Sequence, residues 1–114
     1  MKELYRVLTL HGELEIFVPH PLSMGYLCDP THVRPIMPQT LELFDKHLCE
    51  ERLALGWPNT PLGLIHDIDF RAVEVHAALT ANWFQAKMTQ AEFAAAAETN
   101  FNVVSEWHII LRKH

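Results

Sequence analysis

Apolar residues alternate with others near the start of the chain. They recur at every second position from Leu14 to Val18, which is the spacing of a strand with one apolar face. A second apolar run precedes this one, and His11-Gly12 lies between the two runs, where a two-residue turn requires positive φ. The pattern therefore predicts a β-hairpin over residues 1–18. Because two strands alone are marginally stable, the hairpin must pack on helices or pair with a second copy.

The segment 19–37 is predicted to be a proline-rich loop. Five of the seven prolines lie between residues 19 and 38, and each removes a backbone donor and restrains the residue before it. The loop holds more large apolar side chains than a solvated loop needs, so it either lies across the core or meets a partner. Apolar and aromatic anchors are typical of interface centres. The candidate partner-binding residues are Leu22, Met24, Tyr26, Leu27, Ile36 and Met37.

Residues 38–114 have the apolar spacing of helices. Between Pro38 and Gly56 the apolar residues fall on one helical face, and these two residues suit a first helical turn and a C-terminal cap. A second helix is predicted to begin near Asp67 or Asp69, which are good N-caps, and to run to about Lys87. Residues 38–114 are therefore predicted to be the helical part of the domain, with the first helix ended by the segment 57–61.

Residues 88–107 carry the most specific pattern. Thr89 and Glu92 have the spacing of a capping box, and Asn100 or Asn102 can cap a following helix. This spacing predicts a helix, a tight turn and a second helix. With the preceding segments, the sequence predicts a single domain of mainly α (α+β) class. Its N-terminal β-hairpin is followed by about four helices, of which the last two are helix-turn-helix-like.

This stretch resembles the Xre/Cro-type helix-turn-helix of phage and bacterial repressors. Members often open the motif with Thr-Gln-x-Glu-Phe/Leu-Ala and close it with Val-Ser-x-Trp. The matching residues stand in register without a gap: Thr89, Gln90, Glu92, Phe93, Ala94, Val104, Ser105 and Trp107. The resemblance implies a DNA-binding transcriptional repressor. Its candidate DNA contacts are Gln90, Asn100, Asn102, Ser105, Arg112 and Lys113.

The charge of the chain favours a protein partner over DNA. The 114 residues carry nine Lys plus Arg against fourteen Asp plus Glu, a formal net charge of -5. DNA affinity depends on cations that neutralise phosphates, but residues 67–114 contain six acidic and four basic residues. We therefore expect a small regulatory protein that binds a protein partner such as a transcription factor. Binding would block the partner's dimerisation or DNA binding, and the DNA-binding repressor is the alternative.

Because the chain contains eight histidines, a metal-binding site has to be considered. Two pairs could in principle supply zinc ligands: Cys28 with His32, and His47 with Cys49. Neither pair has a standard zinc-finger spacing. We therefore interpret the histidines as surface or structural residues and expect no bound metal.

The sequence also lacks the patterns of the common enzyme sites. His66-Asp67 is similar to the His-Asp pair of metal phosphohydrolases, but it marks a helix start more readily than a member of a larger ligand set. The four glycines are dispersed, so they form no phosphate-binding loop, and neither serine has the sequence context of a nucleophile elbow. We expect no catalytic residues and no cofactor.

Cysteine content and hydropathy predict a cytoplasmic protein. Two cysteines make a poor disulfide framework, as in a reduced chain. No apolar run approaches the roughly 18 residues of a membrane span, and charged residues interrupt the N-terminal apolar stretch, unlike a signal peptide. The hairpin edge and the surplus of apolar residues both need cover, which predicts a homodimer.

Overall fold

The computed structural model describes residues 1–84 and 86–114, without the side chain of Phe84. Helices of four to ten residues and three strands of seven to ten residues are the main elements of this part of the chain. The helices are α1 (Lys2–Val7), α2 (Met24–Leu27), α3 (Pro38–Leu41), α4 (Lys46–Ala54), α5 (Leu62–His66), α6 (Ala81–Phe84) and α7 (Gln90–Thr99). The strands are β1 (Glu13–Pro19), β2 (Phe70–Leu79) and β3 (Val104–Lys113). The fold is thus α+β.

Among the described residues, the three strands form one antiparallel sheet in the order β1-β3-β2. The last strand of the chain is the central one. On one edge the Lys113 amide donates to the Gly12 carbonyl at 3.0 Å, and on the other the Thr80 amide donates to the Val103 carbonyl at 3.0 Å. β1 and β2 therefore belong to one sheet only because β3 pairs with both.

The strands β2 and β3 overturn the prediction that residues 38–114 are helical. β3 is rich in β-branched and aromatic side chains, which pack well on a pleated surface. Its residues Ile109 and Leu111 are both fully buried, and a separation of two places them on the same face of a strand. The predicted helix over 67–87 is wrong because residues 70–79 are extended. The last predicted helix is wrong as well, so the final pair is a helix followed by a strand.

The predicted hairpin over residues 1–18 is also wrong. Residues Lys2–Val7 are helical, and β1 pairs with β3 instead of with its own N-terminal neighbour. A turn is present one residue earlier than predicted, at Leu10-His11, where the Gly12 amide donates to the Thr9 carbonyl at 2.9 Å and His11 has a φ of +60°. The alternation from Leu14 to Val18 is confirmed, since these residues are more buried than those between them. Local spacing identified this strand but not its partner.

Two helices begin as the sequence predicts. The segment between Pro38 and Gly56 is helical in two pieces, separated by a 3-10 turn at Glu42–Phe44. Buried Asp45 starts the second piece, because its carboxylate accepts a hydrogen bond from the Leu48 amide at 3.1 Å. Helix α7 begins at the predicted capping box of Thr89 and Glu92.

The described chain divides into two compact units. The first unit contains Met1–Ile16, Pro38–Val75 and Ile109–His114, and the second contains Phe17–Met37 and His76–His108. Buried apolar residues of the first unit are Leu41, Cys49, Ile68, Phe70, Ile109 and Leu111. Those of the second unit are Ala96, Val103 and Val104, against which Leu79, Trp83, Met88 and Ala97 pack. No helix in the described ranges has the length and hydrophobicity needed to cross a bilayer.

Candidate protein-binding surface

The proline-rich segment of the second unit has an inverted distribution of side chains. Its buried residues are polar, since His20 is 6 % exposed and Ser23 is 1 % exposed. Its large apolar side chains are exposed instead, up to 83 % for Val33. We call five of them the docking surface: Leu22, Met24, Leu27, Val33 and Ile36. The segment therefore does not bury its apolar residues in the core.

His20 fixes the start of this segment to strand β3. Its amide donates to the Ser105 carbonyl at 2.9 Å, and its carbonyl accepts from the Ser23 amide at 2.9 Å. The ring atom Nδ1 accepts from the Leu22 amide at 3.1 Å, so the ring is neutral with its hydrogen on Nε2. Burial lowers the pKa of His20. The buried imidazole thus acts as a neutral acceptor that orders the backbone before the docking surface.

Ser23 orders the next turn. Its hydroxyl accepts from the Tyr26 amide at 3.2 Å and caps α2, which is only one turn long. Met24 and Leu27, three residues apart in this turn, are both exposed. The cap therefore holds two residues of the docking surface in fixed positions without burying either of them.

Asn102 clamps the segment from the turn between α7 and β3. Its backbone has a φ of +61°, a left-handed conformation that asparagine tolerates better than most residues. Its amide donates to the Leu22 carbonyl at 2.6 Å, and its side-chain oxygen accepts from the Met24 amide at 3.2 Å. The Asn102 carbonyl accepts from the Thr80 hydroxyl at 2.8 Å. One residue thus links the docking segment to the end of β2.

The far end of the segment is ordered by its own polar groups. The Asp29 carboxylate accepts from the Thr31 amide at 2.8 Å and from its hydroxyl at 2.7 Å. These bonds, with a smaller contribution from His32, hold the pKa of Asp29 below its usual range. The His32 ring stacks on Tyr26 with centroids 5.4 Å apart, and its Nδ1 donates to the Tyr26 carbonyl at 3.1 Å. Local hydrogen bonds therefore replace apolar burial as the source of order here.

A pocket of about 230 Å³ adjoins the docking surface. It lies between residues 17–19 of β1 and the side chains of Tyr26, His32, Arg34 and Ile36, and we call it the Arg34 pocket. Its walls are mainly apolar and aromatic, and Arg34 is exposed. Within the described ranges, the structure gives the Arg34 guanidinium neither a carboxylate nor a hydrogen-bond acceptor. The pocket therefore combines an apolar lining with one uncompensated positive charge.

The structure brings most of the sequence-predicted partner residues to this surface. Leu22, Met24, Leu27 and Ile36 are exposed, Tyr26 is half-buried and lines the Arg34 pocket, and Met37 is half-buried outside it. Sequence reasoning missed Phe17, Val33 and Arg34. A signal for Phe17 exists, because it stands in the outward-facing register of Glu13 and Glu15 on β1.

The candidate DNA contacts in the second unit are mostly engaged within the chain. The Asn100 side chain donates to the Ala96 carbonyl at 3.2 Å, at the end of α7. The Ser105 hydroxyl donates to the Ala78 carbonyl at 3.0 Å, and Asn102 is the clamp described above. Gln90 is exposed at the first position of α7.

The two candidate cations lie in the first unit and have partners there. Arg112 pairs with Glu13 at 2.7 Å. The Lys113 ammonium donates to the carbonyls of Tyr5 at 2.7 Å and Leu8 at 2.9 Å, at the C-terminal end of α1. Both side chains therefore support the first unit, and the geometry adds nothing to the prediction of DNA contact.

The first unit contains a larger pocket of about 390 Å³, whose acidic side chains are paired. Asp45 lies 3.5 Å from the Nε of Arg71, and Glu42 pairs with Arg52. Among the described residues, no three His, Cys, Asp or Glu side chains are grouped to hold a metal ion. The two acidic side chains of this pocket are therefore held in ion pairs.

Known proteins provide no further assignment for this surface. Protein-family models, curated proteins and solved structures were compared with the chain, and none of them matches.

Proposed function

We propose that this protein is a small interaction protein that binds a protein partner through the docking surface. The observation that carries the proposal is the inverted segment, in which His20 and Ser23 are buried while Leu27 and Val33 are exposed. An ordered segment that exposes several large apolar side chains to water is a feature of protein interfaces. Ordering the segment before binding lowers the conformational entropy cost of association.

The partner we propose is a transcription factor, whose dimerisation or DNA binding would be blocked. The choice of this partner class rests on the resemblance over residues 88–107, which is one of sequence alone because residues 104–113 form β3 instead of a second helix. The acidic net charge of -5 supports a protein partner rather than DNA. We place this interaction in the cytoplasm, since both cysteines are free and Cys28 is exposed. The expected homodimer stays a prediction, to be tested by light scattering.

The test compares two triple variants in capture from an extract of the native host. In the first, Met24, Leu27 and Val33 are replaced by serine, and in the control the exposed residues Leu10, Leu53 and Leu55 of the first unit are replaced by serine. We expect the first variant to lose a specific captured protein that the wild-type chain and the control both retain. Mass spectrometry identifies that protein, and unfolding curves verify that both variants are folded.

A second measurement tests the regulatory part of the proposal. If the captured protein is a transcription factor, adding the wild-type chain should weaken its DNA mobility shift or its self-association, and the Met24, Leu27 and Val33 variant should not. Equal capture by the wild-type chain and this variant would contradict binding through the docking surface. Unchanged self-association and DNA binding of the partner would contradict the blocking role alone.

A further inference from the structure

The Arg34 pocket is too small for a ligand of ordinary drug size. Its volume is about 230 Å³, whereas pockets for such ligands span roughly 300–1,000 Å³. A pocket of this size suits one large side chain. Interfaces commonly place such an anchor in a pocket at their centre, surrounded by weaker apolar contacts.

The lining of the pocket defines the kind of anchor that fits. Phe17 contributes a ring that is 58 % exposed and is held by stacking on His108, with centroids 4.3 Å apart and planes at 6°. Tyr26 and His32 form a second stacked pair, and Ile36 adds an aliphatic wall. Aromatic rings pack favourably against such faces. A bulky apolar residue, best an aromatic one, therefore complements the walls.

Arg34 adds a requirement for negative charge. Its guanidinium can bind a carboxylate through two parallel hydrogen bonds, and a charge-assisted bond of this kind is stronger than a neutral one. The carboxylate of Asp29, five residues before Arg34 in the chain, is already bound to Thr31 and lies 3.9 Å from the Nε2 of His32. Asp29 therefore has established partners of its own, and Arg34 is left for a carboxylate supplied from outside.

We infer that the Arg34 pocket binds the C-terminal residue of the protein partner, with its apolar side chain between the rings and its α-carboxylate on Arg34. The pocket has room for one large side chain, and Arg34 is one of its lining residues. A single residue with a bulky apolar side chain and its own carboxylate satisfies both features, and such a residue occurs at a C-terminal chain end. Capture of a terminal carboxylate is a known mode of peptide recognition. This inference rests on the proposed function and specifies its partner.

The test uses nuclear magnetic resonance titration of the full isotope-labelled chain with three short peptides. The first ends in phenylalanine with a free carboxylate, the second is its C-terminal amide, and the third has an internal Phe-Asp pair and an amidated end. We expect the free acid to shift the amide signals of Phe17, Tyr26, His32 and Arg34. It should bind about tenfold more tightly than the amide, because a charge-assisted hydrogen bond contributes roughly that much.

Two variants assign the preference to Arg34. Arg34→Gln should remove the difference between free acid and amide, whereas the control Arg6→Gln, at an exposed arginine paired with Glu3, should retain it. Both arginines are exposed, so both variants should fold, as the dispersion of the spectra will verify.

Four results would overturn the inference. The first three are equal binding of acid and amide, a preference that survives Arg34→Gln, and the absence of shifts at the pocket with any peptide. The fourth is tighter binding of the internal Phe-Asp peptide, which would favour an internal acidic residue as the anchor. All of these outcomes leave the capture experiment on Met24, Leu27 and Val33 unaffected, so failure of the pocket and failure of the proposed function are distinguishable.

Discussion

The two units place their polar and apolar residues in opposite ways. In the first unit Phe70, Ile109 and Leu111 are fully buried, and charged side chains form ion pairs such as Lys46 with Asp67 at 2.5 Å. In the segment 20–36 of the second unit the buried side chains, His20 and Ser23, are polar, and the large apolar side chains Leu22, Met24, Leu27, Val33 and Ile36 are exposed. The arrangement in the first unit is explained by the stability of the fold. Stability does not explain why the second unit keeps large apolar side chains exposed to water.

Exposure alone does not separate the two units. The first unit also exposes apolar residues, such as Leu10 and Leu55 at 64 % and 63 %, and single exposed apolar residues are normal in soluble proteins. The second unit differs because its exposed apolar residues are concentrated in one segment whose buried side chains, His20 and Ser23, are polar. This concentration of exposed apolar residues in one ordered segment is therefore the feature that indicates binding.

The largest expected difference in stability is between two variants that each replace one phenylalanine by alanine, one in each unit. Phe70 is fully buried and contacts the Tyr5 ring edge-to-face at 5.2 Å, so Phe70→Ala should lower the free energy of unfolding by about 3–5 kcal/mol. Phe17 is more than half exposed, so Phe17→Ala should cost less than about 1 kcal/mol. Urea unfolding followed by circular dichroism measures both values. Equal losses would show that the Phe17 face is part of a core.

An intermediate effect is expected at the Asn102 clamp. Asn102→Ala removes the acceptor of the Met24 amide and places a strained residue at a φ of +61°, for a loss of about 2 kcal/mol in the free energy of unfolding. Asn102→Gly keeps the backbone conformation and removes only the side-chain bond, so its loss should be about 1 kcal/mol or less. Both variants should weaken partner capture, because the clamp positions Leu22 and Met24. If alanine and glycine cost the same, backbone strain does not contribute.

Features that depend on neighbouring residues were predictable from the sequence. The capping box of Thr89 and Glu92 and the left-handed Gly56 after α4 are both confirmed, because each depends on a few adjacent residues. The alternation in β1 identified a strand for the same reason. These local patterns needed no knowledge of the rest of the fold.

Features that depend on distant pairing were not predictable. The apolar residues Ile68, Ala72, Val75 and Leu79 have helical spacing, yet residues 70–79 are a strand because β3, far along the chain, pairs with them. Likewise Asn102 resembles a helix N-cap, but it occupies a left-handed turn that leads into a strand. The spacing of apolar residues does not show which other strand is available for pairing. It therefore could not distinguish a helix from a strand in these segments.

The candidate site was half predictable. The surplus of apolar residues in 19–37 indicated either core packing or a partner, and the sequence did not decide between them. In the structure the large apolar side chains of this segment are exposed, and His20 and Ser23 are buried instead. These two polar side chains accept hydrogen bonds from the backbone amides of Leu22 and Tyr26 in the folded segment. Arg34 carried no signal, since the meaning of one arginine depends on whether a carboxylate lies nearby in space.

The smallest expected effect is a pH dependence of the free energy of unfolding. It distinguishes the buried polar residue His20 of the second unit from Asp45 of the first. Burial lowers the pKa of His20 below its value in the unfolded chain, about 6.5. The unfolded state then binds more protons between these two pKa values, so stability falls as the pH falls from about 6.5 towards the folded pKa. Protonation at Nδ1 would also break the bond from the Leu22 amide. In the first unit the buried Asp45 pairs instead with Arg71.

The matched variant is His20→Asn, whose side-chain oxygen can still accept from the Leu22 amide but does not titrate. Thermal unfolding between about pH 7 and pH 5 should show a steeper loss of stability for the wild-type chain than for His20→Asn. Four carboxylates have a lowered pKa: Asp29 by Thr31, Glu92 by Thr89, Glu3 by Arg6 and Asp67 by Lys46. Their contribution to stability is lost as the pH falls through about 4.5 and below, outside this range. The other histidines are present in both proteins and cancel in the difference. A pH-independent difference would show that His20 orders the segment by shape alone, without any proton-linked change in the docking surface.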